Sequence, residues 1–257
     1  MRHEQPGLSG PAAHVSSRGM VLPPRGHLRS TGQVDYIDHY YDGVMGLALR
    51  ERLRWVTSVL PPEGCARLLE IGYGSGVFFY EAGRHADVVL GIDVHPSGAD
   101  VQQRCAADGV AVKTVQGNGC ELPFAASSID VVVVISALEF MDEPVRCLRE
   151  ALRVLRPGGR IIAVTPRVHA WSDALWRAAA GTDPEAEFRG GRQRVQQALA
   201  EVERRHGGVE VECHPRPQPL PRSLAPYDLV VIHARPRKDR RSTPRFADVV
   251  VPESVTK

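Results

Sequence analysis

What this chain lacks narrows it first. No apolar run in its 257 residues approaches the ~18–20 needed to cross a bilayer as a helix. No apolar segment follows the early charges of MRHEQPGLSGPAAH, so the start does not read as a secretory signal peptide. The five cysteines, Cys65, Cys105, Cys120, Cys147 and Cys213, are odd in number, scattered and without a C-x-x-C pair. That offers neither a disulfide framework nor a zinc cluster, and it suits small core fillers in a reducing cytosol. A net charge of +2 gives no whole-chain argument for nucleic acid or an acidic membrane surface. There is no internal repeat. The expectation is a cytoplasmic protein without a membrane partner.

What is present has ordinary globular proportions, 43% hydrophobic and 24% charged residues. At this length one domain with decorated ends is expected. Residues 1–30 are rich in Pro, Gly, Ser, Arg and His without a hydrophobic period, which predicts a mobile tail. Residues 236–257 contain RKDRRSTPR and predict a second, basic and solvated tail. The folded domain is then 31–235.

Inside it the text alternates. Met45, Leu49, Leu53 and Val56 fall at helical spacing. Strands are predicted at Ala66 to Ile71, Val88 to Asp93, VAVKTVQG, IDVVVVI (129–135), RIIAVTP, VEVECH and YDLVVIHA. Helices are expected at 76–85, 99–108, 145–155 and 192–206. IDVVVVI is apolar on both faces, as a central strand covered on both sides should be. Strands separated by helical stretches argue for a doubly wound, mostly parallel α/β sheet of seven strands. The last two strands have only a proline-rich loop between them, so they should pair as an antiparallel hairpin, leaving one strand reversed.

The most informative stretch is LLEIGYGSGVFFYE, residues 68–81. Its strand ends in Glu70, and Gly72, Gly74 and Gly76 then alternate. Glycines here let a ligand approach the backbone at the open carboxyl end of a parallel sheet. The dinucleotide fingerprint wants its third glycine one residue later, where Val77 stands. A carboxylate so close would oppose a pyrophosphate and suit an ammonium or sulfonium.

E-I-G-Y-G-S-G resembles the first motif of class I S-adenosylmethionine-dependent methyltransferases. Asp93, closing VVLGID, resembles that family's ribose-binding acid, and a carboxylate can accept from both hydroxyls of a diol. The segment from GNGCELPF to RVLRPGGRIIAVTP resembles the family's central block. The reversed strand is also a property of that family. The resemblance covers roughly residues 41–234 and implies S-adenosyl-L-methionine as cofactor. It carries the cofactor to Glu70, Gly72, Tyr73, Gly74, Gly76, Asp93, Val94, Asn118, Gly119, Ser136 and Tyr41. Two departures stand out: Asn118 replaces the usual adenine-binding Asp, and Tyr73 stands where many relatives have Cys or Ala.

The expected reaction is methyl transfer by in-line displacement to a small-molecule acceptor. Positioning can do most of that work, so a dedicated base is optional. By position, Glu139 and His169 are the candidate catalytic groups. Tyr36, Tyr40 and Tyr41 are candidates to close over the cofactor. Trp171, Trp176 and Phe188 fall in a cap insertion at about 167–190 that suits a partly apolar acceptor. The alternatives are action on nucleic acid or protein, or a non-catalytic cofactor-binding subunit. The segment after the fourth strand reads SALEF rather than (Asp/Asn)-Pro-Pro-(Tyr/Phe), and no Pro-Cys pair occurs, which argues against base methylation. No metal is expected. The partner is the acceptor, in a monomer or homodimer.

Overall fold

The apolar run Ile129–Ile135 forms the central strand of a seven-stranded sheet. The structure is a computed structural model describing residues 14–15, 19–32, 35, 37–205, 209–216 and 225–234, with the backbone alone at 14, 15, 38, 44, 45, 175, 179 and 180. The expectations for 1–13, Tyr36, the Met45 side chain and the tail 236–257 lie outside the described residues.

The strands are β1 (Cys65–Ile71), β2 (Ala86–Asp93), β3 (Val112–Gln116), β4 (Ile129–Ile135), β5 (Leu155–Pro166), β6 (Val209–Arg216) and β7 (Tyr227–Ala234). Their order across the sheet is β3-β2-β1-β4-β5-β7-β6. β1 to β5 run parallel, with Leu69 opposite Leu90 on one side and Val132 on the other. β7 is antiparallel to both neighbours, pairing Ile162 with Val231 and Val211 with Ile232. The expected hairpin and reversed strand are therefore present.

The helices are α1 (Gly43–Thr57), α2 (Phe79–Ala82), α3 (Gly98–Ala107), α4 (Pro144–Val154), α5 (Ala170–Ala180), α6 (Pro184–Phe188) and α7 (Gly191–Arg205). Alternate residues of β4 feed two cores, as strand pleating requires. Val131 and Val133 join Leu53 and Val56 of α1 on one face, and Val132 and Val134 join Leu148 of α4 and Val195 of α7 on the other. Cys105, Cys120 and Cys147 are buried free thiols. α4 ends at Val154, the P-G-G turn (157–159) falls within the first residues of β5, and Gly159 passes so close to the Asp130 carbonyl that a Cβ would sit 2.7 Å from it.

Two expectations change. The helix foreseen over 76–85 shrinks to α2, because Gly76 keeps the chain in a turn at φ +81° and Gly83 ends the helix. The segment 19–30 is not a free tail: Met20, Leu22 and Leu28 are buried, and the Val21 N–H donates to Glu81 Oε2 at 2.8 Å. Buried Glu81 supplies an anchor for this strap that its composition conceals.

Candidate functional site

The carboxyl ends of β1, β2 and β4 open into a cavity of about 630 Å³. Its floor is the glycine loop. Gly72 and Gly74 have φ of +76° and +52°, a region that side chains disfavour. A Cβ on Gly72 would lie 2.5 Å from the Ala137 Cβ. The loop is pinned by Asp93, whose Oδ2 accepts from the Gly74 N–H at 2.9 Å. His95 adds a second tie, its Nε2 lying 2.9 Å from the Gly74 carbonyl oxygen.

Glu70 sits beneath this loop, buried, with Oε2 lacking a hydrogen-bond partner. Burial, and then the neighbouring Asp93 charge, hold its carboxyl well above the ordinary carboxylate range. A cation entering the cavity would relieve both penalties. Asn118 and the largely exposed Val94 line the mouth. Asn118 Oδ1 accepts from the Cys120 N–H at 2.9 Å, so its carbonyl already holds the turn.

The other end is framed by Glu139, Phe140, Trp176 and Phe188. Glu139 lies in a short 3-10 turn, Leu138–Phe140, beneath the start of α7. There Gly191 approaches so closely that a Cβ would fall 1.7 Å from the Glu139 carbonyl oxygen. The Glu139 side chain is 0% exposed and neither carboxyl oxygen has a hydrogen-bond partner. Burial pushes its pKa up to about 7, against the smaller opposing pulls of its own backbone N–H and then of Arg52 and Arg192. Ser136 holds a left-handed φ of +49°, unusual for a residue with a side chain. Its Oγ accepts from Arg52 Nη1 at 2.6 Å.

Of the residues singled out by sequence, Glu70, Gly72, Tyr73, Gly74, Asp93 and Val94 line the cavity, as do Asn118, Gly119, Ser136 and Glu139. Tyr73 is 4% exposed and packs against Phe79 and His95, with ring centroids 5.1 and 5.0 Å away. Its bulk fits because β2 carries Gly91, where a Cβ would be 2.7 Å from the Tyr73 ring. Tyr40, Trp176 and Phe188 line it as well; Trp171 does not, and nor do three of the cofactor and catalytic candidates. Gly76 is packed under Phe79 and Val101. Tyr41 turns away, its hydroxyl donating to the Pro23 carbonyl at 2.7 Å. His169 precedes α5 with its ring 6.1 Å from that of Trp171, which is 41% exposed.

Sequence reasoning passed over Thr31, Gly32, Asp35 and Arg52, which also line the cavity. Asp35 accepts from the Thr31 N–H and hydroxyl, both at 3.0 Å, and from the Ser75 hydroxyl at 3.2 Å, folding the strap over the glycine loop. A Thr followed four residues later by Asp was the available signal, a side-chain–backbone turn in an otherwise featureless stretch. Among the described residues no group of three or more His, Cys, Asp or Glu converges as a metal site. Nor is any described helix long and apolar enough to cross a membrane.

Residues 69–163 match a family described as a methyltransferase domain. Over 98 residues the chain is 36% identical to the phthiotriol/phenolphthiotriol dimycocerosates methyltransferase of Mycobacterium leprae, a match covering 37% of this chain and 36% of that one. The chain spans less than half the length of the curated relatives it matches. Among solved structures, the [4+2]-cyclase SpnF shares the fold with a TM-score of 0.54 at 18% identity, covering 83% of this chain and 88% of its own. A protein of Methanococcus maripaludis assigned to the S-adenosyl-L-methionine-dependent methyltransferases overlays with a TM-score of 0.53 at 17% identity, over 75% of this chain and 88% of its own. At such identities the likeness is one of fold. The family match, to a methyltransferase domain, spans residues 69–163, and the seven-stranded, mostly parallel sheet is the fold that these two solved structures share. S-adenosyl-L-methionine is the cofactor named for the Methanococcus maripaludis protein and the one that the match to a methyltransferase domain implies.

Proposed function

We propose that the protein transfers a methyl group from S-adenosylmethionine to a small-molecule acceptor. The single observation that carries this reading is Glu70, a buried residue of the cavity lining beneath a loop whose glycines exclude side chains, with one carboxyl oxygen unpartnered. An acid-lined floor with room against the backbone fits a ligand that is cationic and bears a diol.

When bound, the cofactor supplies a methyl group already activated by the positive sulfur. The chain's own residues bind, orient and exclude water. Glu70 Oε2 is placed to accept from an ammonium, and the Asp93 carboxylate, held in place by the Gly74 N–H, keeps lone pairs for a ribose diol. Val94 and Asn118 flank the mouth where a planar base would lie. At the far end Trp176 and Phe188 of the cap shield the cavity, and Glu139 is the group there able to take a proton from an acceptor. Orientation of this kind can supply on the order of several kcal/mol. The small acceptor is favoured by the cavity's size and by the name of the Mycobacterium leprae relative. The shared fold of a [4+2]-cyclase is why the site, not the fold, carries the argument.

The test is calorimetric titration with S-adenosylmethionine, S-adenosylhomocysteine and NAD, on the protein and on Asp93→Ala. The expected result is binding of both sulfur compounds, no binding of NAD, and a loss of about 100-fold in the variant, as for a charged hydrogen-bond pair. Absence of binding by either sulfur compound would remove the proposal.

A further inference from the structure

Resting on the methyltransferase reading, we infer that the acceptor carries an amine on an apolar body, with Glu139 as its charge partner and Phe140, Trp176 and Phe188 as its wall. Glu139 is the first support. A fully buried carboxyl with two unpartnered oxygens costs folding free energy unless something in use compensates it. Here it borders a cavity, so the compensating group can be a ligand.

Charge supplies the second support. Among the described residues the cavity lining contains six acids, Asp35, Glu70, Asp93, Glu139, Asp142 and Glu143, against Arg52 and His95 as bases. The bases near Glu139 are committed elsewhere. Arg52 donates to the Ser136 hydroxyl at 2.6 Å and lies 5.8 Å from the centre of the Tyr227 ring. Arg192 is held by Asp173 at 2.5 Å and Glu185 at 3.5 Å. His95 lies at the glycine loop. Over the cavity as a whole an anionic acceptor would meet more acids than bases, whereas an ammonium beside Glu139 would meet a carboxylate.

Aromatic geometry is the third. The ring of Phe188 lies 5.4 Å from that of Phe140 and 5.7 Å from that of Trp176. Such a wall buries an apolar body and attracts a cation through its ring faces. The Trp176 Nε1–H donates toward Glu187 Oε2 at 3.2 Å, which fixes the indole and makes its ring more electron-rich. The nucleophile also differs between acceptor classes. An ammonium that gives up its proton becomes neutral, while a hydroxyl becomes an anion that surrounding carboxylates disfavour.

The experiment compares three probes of one shape: 2-phenylethylamine, 2-phenylethanol and phenylacetate. Each is titrated calorimetrically into the protein alone and with saturating S-adenosylhomocysteine. The amine is expected to bind about tenfold or more tightly than the alcohol, as a charged hydrogen bond should, with phenylacetate weakest. In Glu139→Gln the amine should lose that advantage while S-adenosylhomocysteine binds as before. If that variant does not fold, Trp176→Leu should weaken the amine more than the alcohol. Equal binding of amine and alcohol, a preference for phenylacetate, or an amine preference surviving in Glu139→Gln would overturn the inference. These results stand apart from the cofactor titration, because a protein that binds S-adenosylhomocysteine but prefers phenylacetate loses only the amine.

Discussion

The two ends of the cavity solve the burial of charge differently. At the glycine loop, Asp93 is satisfied by two turns at the strand ends: the Gly74 N–H of the loop after β1, and the His95 N–H and ring two residues on. At the cap, Arg192 is 2% exposed and depends on Asp173 of α5, Glu185 of α6 and the Arg167 carbonyl oxygen. Its guanidinium also sits 5.1 Å from the centre of the Phe188 ring. Turn chemistry builds the first end, and tertiary compensation builds the second. The difference teaches that the cofactor end should tolerate loss of a partner locally, while the cap should fail as a unit.

The sharpest way to break that contrast is Arg192→Ala. It strands Asp173, removes the link joining α5 and α6 to α7, and opens the face of Phe188. A loss of about 3–5 kcal/mol is expected from breaking a buried pair. Chemical denaturation should show it, with Trp176 fluorescence changing before the sheet unfolds. Coincident transitions with a loss under about 1 kcal/mol, the size of an exposed pair, would mean that Arg192 does not hold the cap.

The same contrast explains what the sequence revealed. Gly72, Gly74, Asp93 and the LPF and P-G-G turns were legible because each is a local solution, readable from residue type and short spacing. The sheet was legible for a similar reason, since IDVVVVI reports its double burial directly. Arg192 was not, because an arginine on a polar amphipathic helix looks solvated until α5 and α6 cover it. The strap was missed too. Met20 and Leu22 show no period, and what holds them is Glu81, sixty residues away in the chain. Tyr41 and His169 were placed by position along the chain, which does not report the direction of a side chain. Glu139 was found by position, but its burial could not be read.

A second prediction turns on Glu139 and pH. Its pKa rises from an ordinary 4.5 to about 7 in the folded chain. Between those values the folded state binds the proton that the unfolded state has lost, so stability falls as pH rises through this window. The loss is complete above the folded pKa and amounts to roughly 3 kcal/mol. Glu70 shifts in the same direction, so the comparison must be between the protein and Glu139→Gln under the same conditions. The variant is expected to be more stable than the parent at pH 8 by about 2–3 kcal/mol, with the gap closing toward pH 5. Methyl transfer should fall in the variant, the usual conflict between a functional buried charge and stability. A gap independent of pH would show that Glu139 is not held protonated by burial.

The smallest effect returns to the cofactor end, at the position that departs from the family pattern. Asn118 Oδ1 already accepts from the Cys120 N–H, which leaves one lone pair of a neutral oxygen, beside an amide donor, where the resemblance places a carboxylate for the adenine amino group. Asn118→Asp keeps the turn and supplies a second acceptor oxygen. Binding of S-adenosylhomocysteine should tighten by about threefold to tenfold, within the range of one added hydrogen bond. Asn118→Ala loses the turn bond and should weaken binding by a similar factor. Both variants should leave denaturation of the cap unchanged, since the Asn118 side-chain bond lies within its own turn. If Asn118→Asp weakens binding instead, added negative charge outweighs the new acceptor, and the asparagine is an adjustment to the acidity of this cavity.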